Sequence, residues 1–308
     1  MATRSLATPD LPAAFRTPVA PSTVFLDYWA LTKPEVNFLI VITTFAGYYL
    51  ARPAGWRDFP VGLSINALLG TLLVASGTGT LNQYLERHFD AQMRRTARRP
   101  LAAGRLKPAA VLWFGIALSV VGSVYLALAV NVLASLLAMA TLLSYLFLYT
   151  PLKRKTPLCT LIGAFPGAMP PLIGWAAASG KLNSQAWILY AILFLWQFPH
   201  FMAIAWMYRE DYARAGYLVL PPGASMRLRL VHLQTMSPLL ALISLSVLPG
   251  RMGEARFYSI GALILGAGFL YCGAQFVLRR SNSAARRLLA ASITYLPALF
   301  ALMVLAHA

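Results

Sequence analysis

Nine long apolar runs divide the chain, near residues 35–51, 61–85, 109–128, 132–149, 158–178, 185–207, 230–249, 257–278 and 287–306. About 20 apolar residues let an α-helix cross the hydrocarbon layer of a bilayer. Inside that layer every backbone N–H and C=O must be satisfied within the protein, so such runs predict helices. Composition removes the soluble alternative. Of 308 residues, 59% are hydrophobic and 11% charged, too few polar side chains to cover a water-facing surface. An ordinary soluble enzyme, a disordered chain and a secreted disulfide scaffold are excluded. The expected fold is an all-α polytopic membrane protein, a bundle of nine transmembrane helices.

The runs end at helix-breaking pairs: Arg52-Pro53, Lys107-Pro108, Thr150-Pro151, Ser179-Gly180 and Pro249-Gly250. Only Val130-Asn131 separates the third run from the fourth, yet together they are too long for one span. Charge supports the division. Of the 26 Lys and Arg residues, five (Arg52, Arg57, Lys181, Arg251 and Arg256) fall on one side of a nine-span layout, and 21 share the other side with the N-terminus. By the positive-inside bias the N-terminus is expected to be cytoplasmic and Ala308 to lie across the membrane. The tail lacks a clear mitochondrial presequence, which favours a bacterial plasma membrane. The net charge of +17 suits anionic lipid, and because the bases are scattered through short loops it does not indicate nucleic acid.

Residues 1–26, rich in Ala, Pro, Thr and Ser, lack a continuous apolar core and read as a mobile cytoplasmic tail, not a secretory signal. Residues 27–308 read as a single membrane domain. Cys159 and Cys272 both fall in apolar stretches and read as small buried hydrophobes.

The nine acids are informative because there are so few: Asp10, Asp27, Glu35, Asp58, Glu86, Asp90, Glu210, Asp211 and Glu254. Asn82, Glu86 and Asp90 prolong the second run at a spacing of four, which puts all three on one helix face over about 12 Å. An amide and two carboxylates in a row suit a hard divalent cation, which takes carboxylates, water and substrate phosphates. A solvated helix end with pairs to Arg87 or Arg94 is the plainer reading of the spacing. Acids at the end of a spanning segment are costly and tend to be functional. Arg94, Arg95, Arg98 and Arg99 come directly after, and guanidinium groups bind phosphate bidentately. A second acid pair, Glu210-Asp211, closes the sixth run, which also holds Pro199-His200 beside an expected helix break. Tyr149-Thr-Pro-Leu-Lys153-Arg154-Lys155 opens the loop after the fourth run, as topogenic charge or as a second phosphate clamp.

Three stretches together resemble the UbiA-type intramembrane prenyltransferases, and within that superfamily the haem-farnesylating branch, the haem O synthases. The first is Asn82-x-x-x-Glu86-x-x-x-Asp90-x-x-Met93-x-Arg95-Thr96-x-x-Arg99-Pro100, with Glu at the middle position as in that branch. The second is Tyr149-Thr-Pro-Leu-Lys153-Arg154-x-Thr156, with Pro170-Pro171-Leu-Ile-Gly174-Trp175 beyond it. The third is Trp196-x-x-Pro199-His200 with Asp211-Tyr212-x-x-Ala215-Gly216 and Leu220-Pro221. The likeness runs from about residue 25 to 306. It departs at Cys159-Thr160, where the branch carries Asn, and at Tyr217-Leu-Val, where Ile/Val-Pro-Met is typical.

The resemblance implies a nine-helix bundle around a central cavity that opens laterally to lipid. It also implies farnesyl transfer from farnesyl diphosphate to a vinyl group of haem B, with water addition, giving haem O. Asn82, Glu86, Asp90 and Asp211 would then hold Mg²⁺, with Glu210 a weaker candidate. Arg95, Arg99, Lys153 and Arg154 would hold diphosphate, and Tyr149, Tyr208 and Tyr212 would shield an allylic cation. His200 first and His88 second are candidates for haem contact. A haem A synthase or an oxidase assembly factor is the implied recipient of product. The same superfamily also prenylates quinone precursors and chlorophyllides. A membrane transporter is the reading from another class, and it leaves the juxtaposition of acids and phosphate-binding bases unexplained.

Overall fold

The computed structural model describes residues 23–52, 59–251 and 256–307. Residues 1–22 of the expected tail lie outside the described residues, as do Arg4, Arg16, Arg57, Asp10, Asp58 and Glu254. All nine apolar runs are helical. They are α2 (Pro34–Leu50), α3 (Val61–Asp90), α4 (Pro108–Ala129), α5 (Val132–Leu143) with its extension, the pair α7 (Cys159–Gly167) and α8 (Pro170–Ser179), α9 (Ser184–Met207), α11 (Ala224–Ser246), α13 (Arg256–Arg279) and α14 (Asn282–His307). Short helices α1 (Val24–Leu31), α6 (Thr150–Leu152), α10 (Arg209–Arg214) and α12 (Leu248–Arg251) fill the junctions. Eight of the nine spans are long and apolar enough to cross a membrane, and α2 falls just short of that length at 17 residues. The protein is an integral membrane protein.

Local chemistry explains the breaks. Asn131 caps α5: its side chain accepts from the Ala134 N–H at 2.9 Å and donates to the Ala176 carbonyl at 2.8 Å. This is the boundary that divides the third run from the fourth. The run 158–178 is two helices, because neither Pro170 nor Pro171 can donate a backbone hydrogen bond to extend α7. Pro199, in contrast, does not break α9, which continues from Ser184 to Met207. A lone proline removes one hydrogen bond, and neighbouring helices hold both halves in line.

Two groups of helices pack side by side. A core of Tyr48, Val74, Leu126, Leu142 and Ile173 joins α2, α3, α4, α5 and α8. A second core, with Leu193, Leu239, Phe269, Tyr295 and Phe300, joins α9, α11, α13 and α14. In lipid, helix association depends on close packing and not on burying apolar surface from water, so small residues mark the tightest crossings. At the α2–α8 crossing a Cβ on Gly174 would overlap the Thr44 carbonyl, and one on Gly47 the Pro171 carbonyl. Helix α1 is tied on by the buried Asp27, which Arg105 grips with three hydrogen bonds of 2.9–3.1 Å.

Gly174→Ala is therefore expected to destabilise the bundle by about 2 kcal/mol or more, the scale of core overpacking. Gly62→Ala, where an added methyl meets open space, is expected to be neutral. Thermal unfolding in detergent compares the two, and equal stability would show that the crossing tolerates separation.

Candidate active site

Helix α3 has 30 residues, about 45 Å, more than the thickness of an apolar layer, and its polar residues Asn82, Glu86 and Asp90 lie in the last turns. The face that carries Asn82, Glu86 and Asp90 is turned inward, and all three are at most 5% exposed. His88 lies off that face and is exposed. The helix stops at Asp90, whose carbonyl accepts from Thr96 Oγ1 at 2.9 Å. The turns after it bring Arg99 back, and its guanidinium donates to Asp90 Oδ2 at 2.7 Å.

The fourth span reaches the same place through a distortion. Residues Ser144–Tyr149 form a π-helical turn just before Pro151. The Thr150 N–H and hydroxyl both donate to the Tyr145 carbonyl, the hydroxyl at 2.9 Å. Single π turns of this kind recur at functional sites, because the extra residue rotates the side chains beyond it onto a new face. Here Thr150 Oγ1 accepts from Asn82 Nδ2 at 3.2 Å, and the Lys153 ammonium donates to both Glu86 oxygens at 2.8 and 3.0 Å. Burial alone would lower the pKa of Lys153, but the Glu86 charge beside it raises that pKa well above the usual lysine value. The Tyr149 ring lies 4.6 Å from the same ammonium.

A third segment arrives after α10. Gly216, at φ +70°, ends that helix in the left-handed region, where glycine carries no steric penalty. The Tyr217 N–H then donates to the Tyr212 carbonyl and the Gly216 N–H to Ala213, closing a Schellman turn. The reversal aims the Tyr217 hydroxyl at Glu86 Oε1, 2.9 Å away, while the Leu218 N–H donates to the Lys153 carbonyl at 2.8 Å. Burial first, and the Glu86 charge second, raise the Tyr217 phenol, so it stays a donor.

The fourth contributor is Lys33, in the turn between α1 and α2. Its backbone is left-handed (φ 55°), an uncommon state for a side-chain-bearing residue, and its ammonium donates to Asn82 Oδ1 at 3.0 Å. Burial, then the Arg99 and Lys153 charges, lower its pKa to about 7. Asn82 also donates to Glu86 Oε2 at 2.9 Å and so links Lys33 to the carboxylate.

The buried Asp211 joins this cluster through the loop after α3. Its Oδ2 accepts from the Arg95 N–H at 3.2 Å and its Oδ1 from Arg214 at 3.1 Å. The Arg95 guanidinium donates to the Tyr212 hydroxyl at 3.2 Å and lies 4.8 Å from the Tyr208 ring. Met93, Ala215 and Tyr217 pack beneath as a small apolar plug. Both acid sets thus meet at one end of the bundle. Glu210 stands apart, 78% exposed beside Arg209. Arg154 turns from the acids and lies 4.1 Å over the Phe89 ring. His200 also stands apart: its Nδ1 is 2.8 Å from Ser292 Oγ on α14, and its ring stacks on Trp196.

Next to Glu86 is a cavity of about 560 Å³, lined by Leu85, Phe89, Leu146, Phe147, Thr150, Pro151, Arg154, Lys155 and Tyr217 as well. Among the described residues no three His, Cys, Asp or Glu side chains are grouped to hold a metal ion. The donor set nevertheless fits a hard cation. Glu86, Asp90 and Asp211 offer only oxygen, and the base now paired with each is a group that phosphate would also attract. Lys33, Thr150 and Tyr217 are missing from the residues that the sequence pattern singles out. Gly216, as a helix stop, is the local signal that points towards Tyr217. Lys33 has none beyond its place before Pro34.

A family model described as the UbiA prenyltransferase family matches residues 40–302. The chain is 48% identical over 289 residues to a protein of Solibacter usitatus named protoheme IX farnesyltransferase, covering 91% of this chain and 98% of that one. Proteins of the same name from Salinibacter ruber and Myxococcus xanthus are 42% and 41% identical, with 90% and 92% of this chain covered and 97% and 95% of theirs. Among solved structures, a digeranylgeranylglyceryl phosphate synthase superposes with a TM-score of 0.74 at 18% identity, over 92% of this chain and 98% of that chain. A UbiA homologue from Archaeoglobus fulgidus bound to GPP and Mg²⁺ gives 0.64 at 14% identity, over 87% and 99%.

If Lys153 neutralises a buried carboxylate, Lys153→Met should cost about 3 kcal/mol, the scale for stranding one charge of a buried pair. Adding Glu86→Gln should restore most of that loss. A thermal double-mutant cycle measures the coupling, and additive losses would mean that the two side chains are not paired.

Proposed function

The chain belongs to the UbiA prenyltransferase family, and on that premise we propose that it transfers a farnesyl group from farnesyl diphosphate to a vinyl group of protohaem IX, with addition of water, to give haem O and diphosphate. The observation that carries this is the convergence of two acid sets and four bases, Lys33, Arg95, Arg99 and Lys153, on one closed end of a membrane bundle. Buried acids alone would suit an ion path. Acids interleaved with bases, at the end of a lipid-embedded bundle, suit an anionic leaving group on a lipid chain.

Breaking the allylic C–O bond sends its electron pair to diphosphate and leaves a delocalised cation. Lys153, Arg99, Arg95 and Lys33 are placed to receive diphosphate oxygens, with charge fixed where it develops. Mg²⁺, when bound, would supply further neutralisation of the leaving group, held by Asn82, Glu86, Asp90 and Asp211. Each acid now has a basic or amide partner, so substrate and metal would enter by exchange: bases turn to phosphate as acids turn to the cation. Tyr149, Tyr208 and Tyr212 present ring faces near these bases and shield the carbocation from early water. The cation adds to the terminal vinyl carbon, and water captures the resulting charge next to the porphyrin with loss of a proton.

This reading places the charged end on the cytoplasmic side of a bacterial plasma membrane, in line with the distribution of basic residues. A haem A synthase or an oxidase assembly factor would take the product.

Haems extracted from cells with and without the protein, resolved by mass spectrometry, test the reaction. Haem O should appear only with the protein, and its absence overturns the assignment. Radiolabelled farnesyl diphosphate offered with a quinone precursor or a chlorophyllide tests the acceptor. Asp90→Asn and Asp211→Asn should each lower turnover by about 100-fold or more while the protein still inserts. Chelation should stop turnover and added Mg²⁺ restore it. Full activity of either variant removes that residue from the metal site.

A further inference from the structure

The cavity beside Glu86 has two unlike ends. Its inner end is the Glu86 carboxylate and the Tyr217 hydroxyl, within the charged cluster at the tip of α3. Its outer wall includes Phe147, 66% exposed on the surface of the Val132–Leu152 span, so the cavity opens sideways to lipid. Arg154 and Lys155 stand at the rim, exposed and just past the end of that span. Arg95, Arg99 and Lys153 are each held by an acid or a phenol. Among the described residues the side chains of Arg154 and Lys155 meet no carboxylate, and the Arg154 guanidinium rests on the Phe89 ring.

We propose that this cavity is where protohaem IX enters and is oriented, its two propionates on Arg154 and Lys155 and its vinyl edge towards Glu86. This rests on protohaem IX being the acceptor. Charge complementarity selects the occupant. Farnesyl diphosphate carries one anionic head, and the inner bases already serve it. A porphyrin carries two carboxylates on one edge and needs two cations at the level of the headgroups. The vinyl groups lie away from the propionates, so anchoring the acids at the rim points the reacting edge inward. The volume of about 560 Å³ falls in the range of small-molecule sites, and the ring would lie against Phe89 and Phe147. The placement moves Arg154 from diphosphate to acceptor. It also differs from contact through His200 or His88, neither of which lines the cavity.

The test uses the full-length protein in nanodiscs of neutral lipid. Arg154→Gln/Lys155→Gln is expected to raise the KM for haem B by about fivefold, as two exposed ion pairs would. The KM for farnesyl diphosphate should stay within about twofold, because the inner bases are intact. The dimethyl ester of haem B should show the raised KM with the unaltered protein, and no further rise with the double variant. A rise in the farnesyl diphosphate KM instead would return Arg154 to the diphosphate, and equal losses with the acid and the ester would remove the propionates; either overturns the proposal. So would an effect that appears only with anionic lipid, which would assign the bases to headgroups. Spectroscopic titration of haem B without farnesyl diphosphate separates the two readings: weaker binding to the double variant supports the portal even if no haem O forms. Loss of the bound-haem spectrum in His200→Ala, with none in the double variant, would place the acceptor elsewhere and overturn the proposal.

Discussion

The charged end of this bundle is organised around one buried carboxylate. Glu86 accepts four hydrogen bonds: two from Lys153, one from Tyr217 and one from Asn82. Taking a carboxylate out of water costs several kcal/mol, and only a complete set of partners offsets that. The partners come from α3 itself, from the end of the fourth span and from the loop after α10. Satisfying Glu86 therefore fixes the relative positions of three segments far apart in the chain. Asn82 adds a fourth through Lys33.

The local devices that deliver these partners are departures from regular structure. A π turn before Pro151 aims Thr150 and Lys153 inward, a left-handed Gly216 folds Tyr217 back, and a left-handed Lys33 turns its ammonium towards Asn82. Each weakens local backbone regularity. They persist because the acids stabilise their placement, a common arrangement at sites that must bind charge. Apart from the π turn and the break at Pro170-Pro171, the spans are regular and tightly crossed at small residues, which provides a rigid frame.

The pairing also leaves each buried acid with a cationic partner. Glu86, Asp90 and Asp211 are each compensated by a base, and Lys33 and Arg95 add to these, so positive charge is in excess at this end of the bundle. Arg154 and Lys155 stand outside this network, exposed at the rim of the cavity.

The amino-acid sequence alone determined the helical spans, the boundary at Asn131 and the shared face of Asn82, Glu86 and Asp90. These are local properties: hydrophobic run length, capping chemistry and a helical period read over neighbouring residues. It also carried the motifs that identify the family. It misjudged Pro199 as a break, since one proline does not end a helix held by its neighbours, and it read residues 158–178 as one helix where Pro170-Pro171 makes two. Tertiary structure decided which base meets which acid. Lys33 and Asn82 are 49 residues apart, and Glu86 and Tyr217 are 131 apart, so no local pattern links them. It also sent Arg154 to Phe89 and His88 outward, because a side chain's partner depends on which segment packs opposite, and that is settled by the bundle as a whole.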